Sequence, residues 1–340
     1  MERVTIGVVN YNGKAVLPDT LHCIRNLDYP DVALMVVDDC STDGSMEWAR
    51  ENYPNFQCLS LSKNSGPNAA RSLILESART EYVLIMDHDV RLRPDALTRL
   101  MEAIKRVPDA AIAHPEIKDS NDPHVSHYNG GWIHYMGTLV PPSYTNGERP
   151  EHEIVYMASG QALLVRREVA LRVGGFDAEY FFGFEDGDFV MRVILAGYRC
   201  INVPGAVGHH TAKSRGLSNV YYHVRNRWLF ILKLYSWRTL FLAAPMFALH
   251  ELSLCLLLTM KGQAKQYCRG NLAILPHLPS FLRKRRTFQR MKVLADNEWL
   301  SGEDPFVPDA ALGGPILGIL RRAYSRVLHM YWRAIRRLCG

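Results

Sequence analysis

The chain has 340 residues, 48% hydrophobic and 22% charged, a composition that excludes a disordered or collagen-like polypeptide and provides for a large buried core. Its net charge of +6 is unevenly placed: residues 1–204 hold 19 Lys and Arg against 28 Asp and Glu, a balance of −9, while residues 205–340 hold 21 against 6, a balance of +15. The acidic part suits cation binding, and the basic, apolar part suits an anionic surface. Seven cysteines, at 23, 40, 58, 200, 255, 268 and 339, form no C-x-x-C pair, which argues against a zinc site or a disulfide framework and for a reducing compartment. The first residues enter a strand-like run without a charged leader and apolar segment, so no signal peptide is expected.

Val4 to Val9 is a β-branched run ending in Asn10-Tyr11-Asn12-Gly13, a strand followed by a loop. A helix is predicted from Val16 to Leu27, with Leu17, Leu21 and Ile24 on one face. Val32 to Val37 is a second buried strand, ending in Asp38-Asp39-Cys40-Ser41-Thr42-Asp43-Gly44, where Ser41, Thr42 or Asp43 is expected to cap a helix through Trp48. A third strand near Phe56 to Leu61 leads through Lys63-Asn64-Ser65-Gly66-Pro67-Asn68-Ala69-Ala70-Arg71 into a helix through Leu75. Val83 to Asp89 then reads V-L-I-M-D-H-D, an apolar strand ending in two acids one residue apart. Extended geometry through Asp89 would set Asp87 and Asp89 on one face. Such a pair suits Mg²⁺ or Mn²⁺ held jointly with substrate phosphate oxygens. The alternation of strands and helices predicts an α/β fold with a mainly parallel, doubly wound sheet, whose ligands sit at the carboxyl ends of the strands. No G-x-G-x-x-G follows the first strand, which argues against a dinucleotide fold.

From His114 to Glu153 the chain is rich in Pro, Gly, Asn and His and reads as loops and short strands lining a substrate cleft. Tyr156 to Arg167 reads as a strand in which Gly160 gives a ligand room to approach the backbone. After Phe181-Phe182-Gly183-Phe184-Glu185-Asp186 a helix is predicted, with Phe189, Val193 and Ile194 on one face, an Asp188 and Arg192 pair, and a stop at Gly197. Pro204-Gly205-Ala206-Val207-Gly208-His209-His210 closes this region. Beyond Tyr221 a long helical stretch begins. Thr239 to Met260 is apolar for about the length that spans a bilayer, but Pro245, His250 and Glu251 interrupt it, so an in-plane or re-entrant segment is expected. Trp228, Tyr235 and Trp237 suit a membrane interface, and Arg283-Lys284-Arg285-Arg286 adds charge. A last helix carries Leu320, Tyr324, Val327, Leu328, Tyr331 and Ile335 as an apolar stripe opposite Arg321, Arg322, Arg326, Arg333, Arg336 and Arg337, as a helix on anionic lipid does. No nucleic-acid module accompanies the charge.

Four motifs in order, V-N-Y-N-G, V-V-D-D-C-S-T-D-G-S, N-S-G-P-N-A-A-R and M-D-H-D, resemble family 2 glycosyltransferases of the GT-A fold, and the G-G-F-D, F-E-D-G-D-F and A-G-Y run extends the resemblance over about residues 3–230. The resemblance implies a nucleotide-sugar site at the carboxyl edge of the sheet. In it Val9 and Tyr11 line the base pocket, Asp38 or Asp39 faces the base and ribose, Arg71 lies near the phosphates, Asp87 approaches the ribose and metal, and Asp89 ligates the metal. It implies Asp186 as the base that takes the acceptor's proton, Glu185 as its neighbour, and Asp188 and Arg192 as structural. It also implies a metal-binding histidine after the last strand, His209, with His210 as the alternative. Ser72 stands where many relatives have Asn, so that position receives no role.

The implied protein has a GT-A catalytic domain at 1–220, with a nucleotide-sugar half at 1–113 and an acceptor half at 114–220, and a basic helical membrane-associating region at 221–340. Its implied reaction is inverting and uses a divalent metal, Mn²⁺ or Mg²⁺. The donor is dTDP-rhamnose, favoured by the Tyr221-Tyr222-His223-Val224-Arg225-Asn226-Arg227 segment, or a UDP-hexose; the acceptor is a lipid-linked or cell-envelope glycan at the cytoplasmic membrane face. Two other classes compete. A non-catalytic membrane scaffold would tolerate loss of Asp89 or Asp186, and a nucleotidyltransferase would need a glycine-rich basic loop after the first strand, which V-N-Y-N-G does not supply.

Overall fold

The computed structural model describes residues 2–122, 124–128, 130–140, 151–211, 217, 219–303 and 315–340. Residues 141–150, part of the stretch expected to line the substrate cleft, lie outside the described residues. The chain divides into two units, one from 1–130 with 144–213 and one from 131–143 with 214–340.

The first unit begins β1 (Val4–Asn10), α1 (Leu17–Arg25), β2 (Val32–Asp38), α2 (Ser45–Asn52), β3 (Gln57–Ser60), α3 (Pro67–Ser77), β4 (Tyr82–Asp87), β5 (Val90–Leu92), α4 (Ala96–Arg106), β6 (Ala110–Asp119) and β7 (Ser126–Tyr128). After β8 (Trp132–His134) and β9 (Thr138–Val140), which belong to the second unit, it resumes with β10 (Glu153–Val155), β11 (Ala162–Arg166), α5 (Arg167–Arg172), α6 (Glu185–Leu195) and β12 (Arg199–His210). The strands of its sheet run β10-β12-β6-β11-β4-β1-β2-β3, with β5 paired to β12 and β7 to β6. The β4-β1-β2-β3 half is parallel, as the alternation predicts, and β11 then enters antiparallel between β4 and β6.

The apolar runs explain this half. Every residue of β1 is buried, as are Val83 to Met86 in β4, because helices cover both faces. The expected helix face of Leu17, Leu21 and Ile24 packs into the same core as Ile6, Val8, Leu84 and Met86. A Cβ at Gly7 would lie 2.3 Å from Ile74, so the glycine lets α3 press on β1. Gly44, left-handed at φ 76°, precedes α2 in place of a side-chain cap, and Asp43 accepts from the Ser45 N–H (3.0 Å) at the helix start.

The second unit holds β8 and β9, then α7 (Val220–Leu234), α8 (Trp237–Met260), α9 (Ala264–Leu272), α10 (Ile274–Gln289), α11 (Asp296–Trp299), β13 (Leu300–Ser301) and α12 (Pro315–Ile335), with a small sheet in the order β13-β8-β9. Three expectations change here. Tyr235 is fully buried and donates to the His134 carbonyl (3.2 Å), so it is no interfacial residue. Arg285 is buried too: its Nη1 donates to the Leu232 (2.5 Å) and Tyr235 (2.6 Å) carbonyls, and Gln289 and Lys292 take the Lys233 and Leu234 carbonyls, so α10 and the chain after it satisfy the open end of α7. The apolar stripe of α12 is divided. Leu328 and Ile335 are buried, the Tyr324 hydroxyl bonds His250 Nδ1 (2.7 Å) and the Tyr331 hydroxyl donates to the Leu242 carbonyl (2.7 Å), while Leu320 and Val327 stay exposed.

Candidate active site

Parallel register brings the ends of β1, β2 and β4 together, with Asn10 beside Asp38 and Val9 beside Asp87. Asn10 is fully buried, and its Nδ2 donates to Asp38 Oδ1 (2.7 Å) and Ser45 Oγ (2.8 Å). Asp38 also accepts from the Ser41 N–H (2.8 Å) and hydroxyl (2.5 Å). Asp39 accepts from the N–H groups of Ser65 (2.7 Å) and Gly66 (2.8 Å), which ties β2 to the approach of α3. Burial raises the Asp39 carboxyl above its usual range, those two N–H groups oppose the rise, and neighbouring Asp38 adds to it. Both acids expected at the base and ribose thus hold the loops framing this edge. Val9 is buried and its carbonyl accepts the His88 N–H (3.1 Å), whereas Tyr11 is 43% exposed and open to a ligand. Gly13 has a steric reason: a Cβ there would lie 2.4 Å from Asn10 Oδ1 and 2.6 Å from the His88 ring.

The two acids of M-D-H-D part company. The strand β4 stops at Asp87 and the chain turns through His88 and Asp89 before β5, so the period of two ends before it reaches Asp89. Asp87 meets Arg71 (3.0 Å), and Asp89 lies 3.4 Å from His210 Nε2. His209 is registered against Arg91 and Lys118, and burial, with those cations and Arg93, lowers its pKa. His210, the alternative, is therefore the histidine beside Asp89. Among the described residues no three His, Cys, Asp or Glu side chains form a ready-made metal cluster. The donor set still fits Mn²⁺ or Mg²⁺. Burial works against an Asp89 carboxylate, but the hydrogen bond from His210 and the nearness of the His210 and His88 rings outweigh it and hold its pKa below the usual range. Asp89 and His210 are the residues that would hold such an ion, with substrate oxygens and water as its further ligands.

On the other side, α6 starts at Glu185 after Phe184, whose φ of 69° sets the helix off from a left-handed residue. Asp186 Oδ2 accepts from the Gly160 N–H (2.9 Å) and Oδ1 from the Gly187 N–H (2.8 Å). Glu185 is 8% exposed, and its Oε2 is buried with no hydrogen-bond partner. Burial, reinforced by Asp186 and opposed by Arg71, raises its pKa to about 8. Arg71 lies behind the acids, 3% exposed. Its Nη2 donates to Asp87 and to the Gly160 carbonyl (3.2 Å), and Asp87, Glu185 and Asp186 together outweigh burial and keep it charged. The space beside Gly160, expected to admit a ligand, is filled by this guanidinium: a Cβ would stand 2.6 to 2.7 Å from three of its atoms. Asp188 and Arg192 form the expected pair one helical turn apart. Asp188 accepts from the Tyr180 hydroxyl (3.0 Å) and Arg192 Nε (2.8 Å), and Arg192 also donates to the Val173 (2.5 Å) and Gly175 (2.7 Å) carbonyls.

Two residues of this edge escaped the sequence reading. Asn10 organises the β1 and β2 loops, and its signal is a polar residue closing an otherwise apolar strand. Asn68 donates to the Asp177 carbonyl (2.9 Å) and accepts from Arg71 (3.4 Å), a link across 109 residues that leaves no local signature.

The sequence profile of "Glycosyl transferase family 2" matches residues 5–174. A protein of Mycobacterium tuberculosis named N-acetylglucosaminyl-diphospho-decaprenol L-rhamnosyltransferase is 30% identical over 237 residues, covering 61% of this chain and 77% of its own length. Among solved structures, a mannosyltransferase from Pyrobaculum calidifontis in complex with GDP-Man and Mn²⁺ superposes with a TM-score of 0.52 at 17% identity, over 98% of this chain and 87% of that one. GalNAc-T7 with UDP, GalNAc and Mn²⁺ gives 0.57 at 15% identity over 68% of this chain, which spans about half of that protein, 48%. These likenesses carry the fold, and the sequence matches carry the family. With the profile spanning half its residues and a relative this similar along most of that relative's length, the chain belongs to glycosyl transferase family 2 and is a glycosyltransferase of the GT-A fold.

Proposed function

We propose that this enzyme is inverting and metal-dependent, and that it moves a sugar from dTDP-rhamnose or a UDP-hexose to a lipid-linked or cell-envelope glycan at the cytoplasmic membrane surface. The observation that carries the reading is the pairing of Asp89 with His210 at the end of β4, with Asp186 held at the start of α6 by the Gly160 N–H. Asp89 and His210 are the residues that would hold Mn²⁺ or Mg²⁺. The metal, when bound, supplies positive charge to the diphosphate as the nucleotide departs. Asp186 takes the proton of the acceptor hydroxyl as that oxygen attacks the anomeric carbon from the side opposite the nucleotide, in a single displacement. Tyr11 stands open at the edge for the nucleotide. Rhamnose as the sugar and a lipid diphosphate as the acceptor's carrier are supported by the name of the Mycobacterium tuberculosis relative, and the metal by the Mn²⁺ in the two related structures.

Membrane association rests on α8. Trp237, Phe241, Leu252, Leu256 and Met260 are exposed along it. The groups that interrupt its apolar run have partners within the unit: Glu251 accepts from Arg227 (2.6 Å) and the Tyr267 hydroxyl (2.6 Å), and His250 bonds Tyr324. One face apolar and the other satisfied by protein suits a helix lying in the membrane plane.

The test is the shift in unfolding temperature with UDP, dTDP, GDP or CMP, with and without Mn²⁺, in mild detergent. A ligand at a hundred times its Kd stabilises by about 2.7 kcal/mol. The expected result is that one nucleotide shifts the wild type only with metal, that Asp89→Ala and His210→Ala lose the shift, and that His209→Ala keeps it. No shift with any nucleotide in folded protein would refute the metal-diphosphate reading.

A further inference from the structure

We propose that Arg71 is a positioning residue that ties the donor-side carboxylate Asp87 to the base Asp186 through the backbone of Gly160, and that position 160 is glycine because this cation must lie flat against it. The inference rests on the reading of Asp186 as the base.

Each link is a direct contact in the structure. Arg71 Nη2 reaches Asp87 Oδ1 at 3.0 Å and the Gly160 carbonyl at 3.2 Å. The N–H of the same glycine holds Asp186 Oδ2 at 2.9 Å. A second strut runs beside the first, from the Asp87 N–H to the Gln161 carbonyl at 3.0 Å. The carbonyl and the N–H of Gly160 lie in successive peptide planes that turn on its Cα, and the guanidinium both holds the carbonyl and packs against that Cα, so it restrains the two rotations and with them the N–H that meets Asp186. Asn68 steadies Nη1 (3.4 Å), and the cation lies 5.7 Å from the centre of the Phe176 ring. At 3% exposure Arg71 has little surface to offer a phosphate, the role the family resemblance implies for it. A methyl at position 160 would stand 2.6 Å from Nη2 and 2.7 Å from both Cζ and Nη1, so it cannot coexist with the cation in this place. A planar, always charged donor with several N–H groups can bridge a carboxylate and a carbonyl, whereas an ammonium on a flexible stem cannot do so in one fixed geometry.

The experiment measures turnover and donor affinity separately. Turnover is the release of nucleoside diphosphate from whichever nucleotide-sugar the thermal-shift panel selects, with water in the acceptor's place; affinity is the Kd of the free nucleoside diphosphate with Mn²⁺. Arg71→Ala is expected to lower kcat about a hundredfold, the effect of a reacting group misplaced by about 1 Å. Its Kd should change less than about threefold, the mark of a loss confined to the transition state. Millimolar guanidinium chloride is expected to restore part of the turnover of Arg71→Ala, and Arg71→Lys, which keeps the charge, should remain impaired. Gly160→Ala should lose kcat to a similar degree in the wild-type background and nothing further in the Arg71→Ala background, where the methyl has room.

A Kd that rises in step with the loss of kcat/KM would make Arg71 a phosphate ligand and overturn the proposal. So would wild-type turnover in Gly160→Ala or additive losses in the double variant. If Arg71→Ala does not fold, Arg71→Lys and Gly160→Ala decide by the same criteria. Asp186→Asn separates the two readings: full turnover there refutes the base itself, whereas an inactive Asp186→Asn alongside active Arg71 and Gly160 variants refutes the linkage alone.

Discussion

Glu185 is the acid whose burial has the most measurable consequence. It lies 8% exposed at the start of α6, with Oε2 buried and unpartnered, and burial followed by the Asp186 charge raises its pKa from 4.5 to about 8. A folded-state pKa above the unfolded one means that the folded protein binds the proton more tightly. The stabilisation is therefore complete below pH 4.5 and is lost as pH rises toward 8. At 1.36 kcal/mol per unit, raising the pH from 5 to 9 costs the wild type on the order of 4 kcal/mol through this one group. Glu185→Gln is close in shape, carries no titrating proton and removes that cost. The expected outcome is that urea unfolding of wild type and variant diverges steadily from pH 5 to pH 9, the wild type falling relative to the variant and the gap levelling above pH 8. Arg71→Gln, by removing the cation that favours the Glu185 carboxylate, should move the loss to higher pH. Parallel stability curves for wild type and Glu185→Gln would refute the reasoning, because they would mean that Glu185 titrates alike in the folded and unfolded chain.

Two further outcomes follow from buried and exposed extremes. Asp188 and Arg192 form an ion pair at 2.8 Å with side-chain exposures of 0% and 4%, so Asp188→Ala leaves a buried cation and should cost about 3 to 5 kcal/mol in urea unfolding; a variant as stable as wild type would contradict a structural role. On α8, Phe241 and Leu252 are 81% and 70% exposed, and burying such a side chain contributes roughly 1.5 to 3 kcal/mol. Phe241→Glu and Leu252→Glu should therefore each lower binding to phosphatidylglycerol-containing vesicles by at least about tenfold in a flotation assay. Unchanged flotation of both variants would show that this face does not meet lipid.

The elements that carry the fold were legible because their causes are local. An apolar run such as Val83 to Met86 needs cover on both faces wherever it sits, and Leu17, Leu21 and Ile24 share a helix face whatever they pack against. From these, the order of strands and helices determined a mainly parallel sheet whose carboxyl edge gathers Asp38, Asp87 and Asp89, and the helix of Phe189, Val193 and Ile194 was legible in the same way, although it starts at Glu185 rather than after Asp186. The choice between His209 and His210 was not legible. Between Val203 and Val207 the register of β12 against β6 shifts, leaving Pro204 to Ala206 as a bulge, and a bulge resets which residues share a face. The separation of Asp87 from Asp89 depends on a turn at His88 whose carbonyl accepts from Thr20, 68 residues away. The same holds for Arg285, drawn from a basic run onto the end of α7, and for Tyr235, buried under His134. What the sequence by itself determined was the fold, the edge at which the acids gather and the kind of side chain there. Only the tertiary structure decided which acid faces which cation, because those pairings join residues from α3, β4, β12 and the Gly160 loop, and neither periodicity nor propensity carries information over such separations.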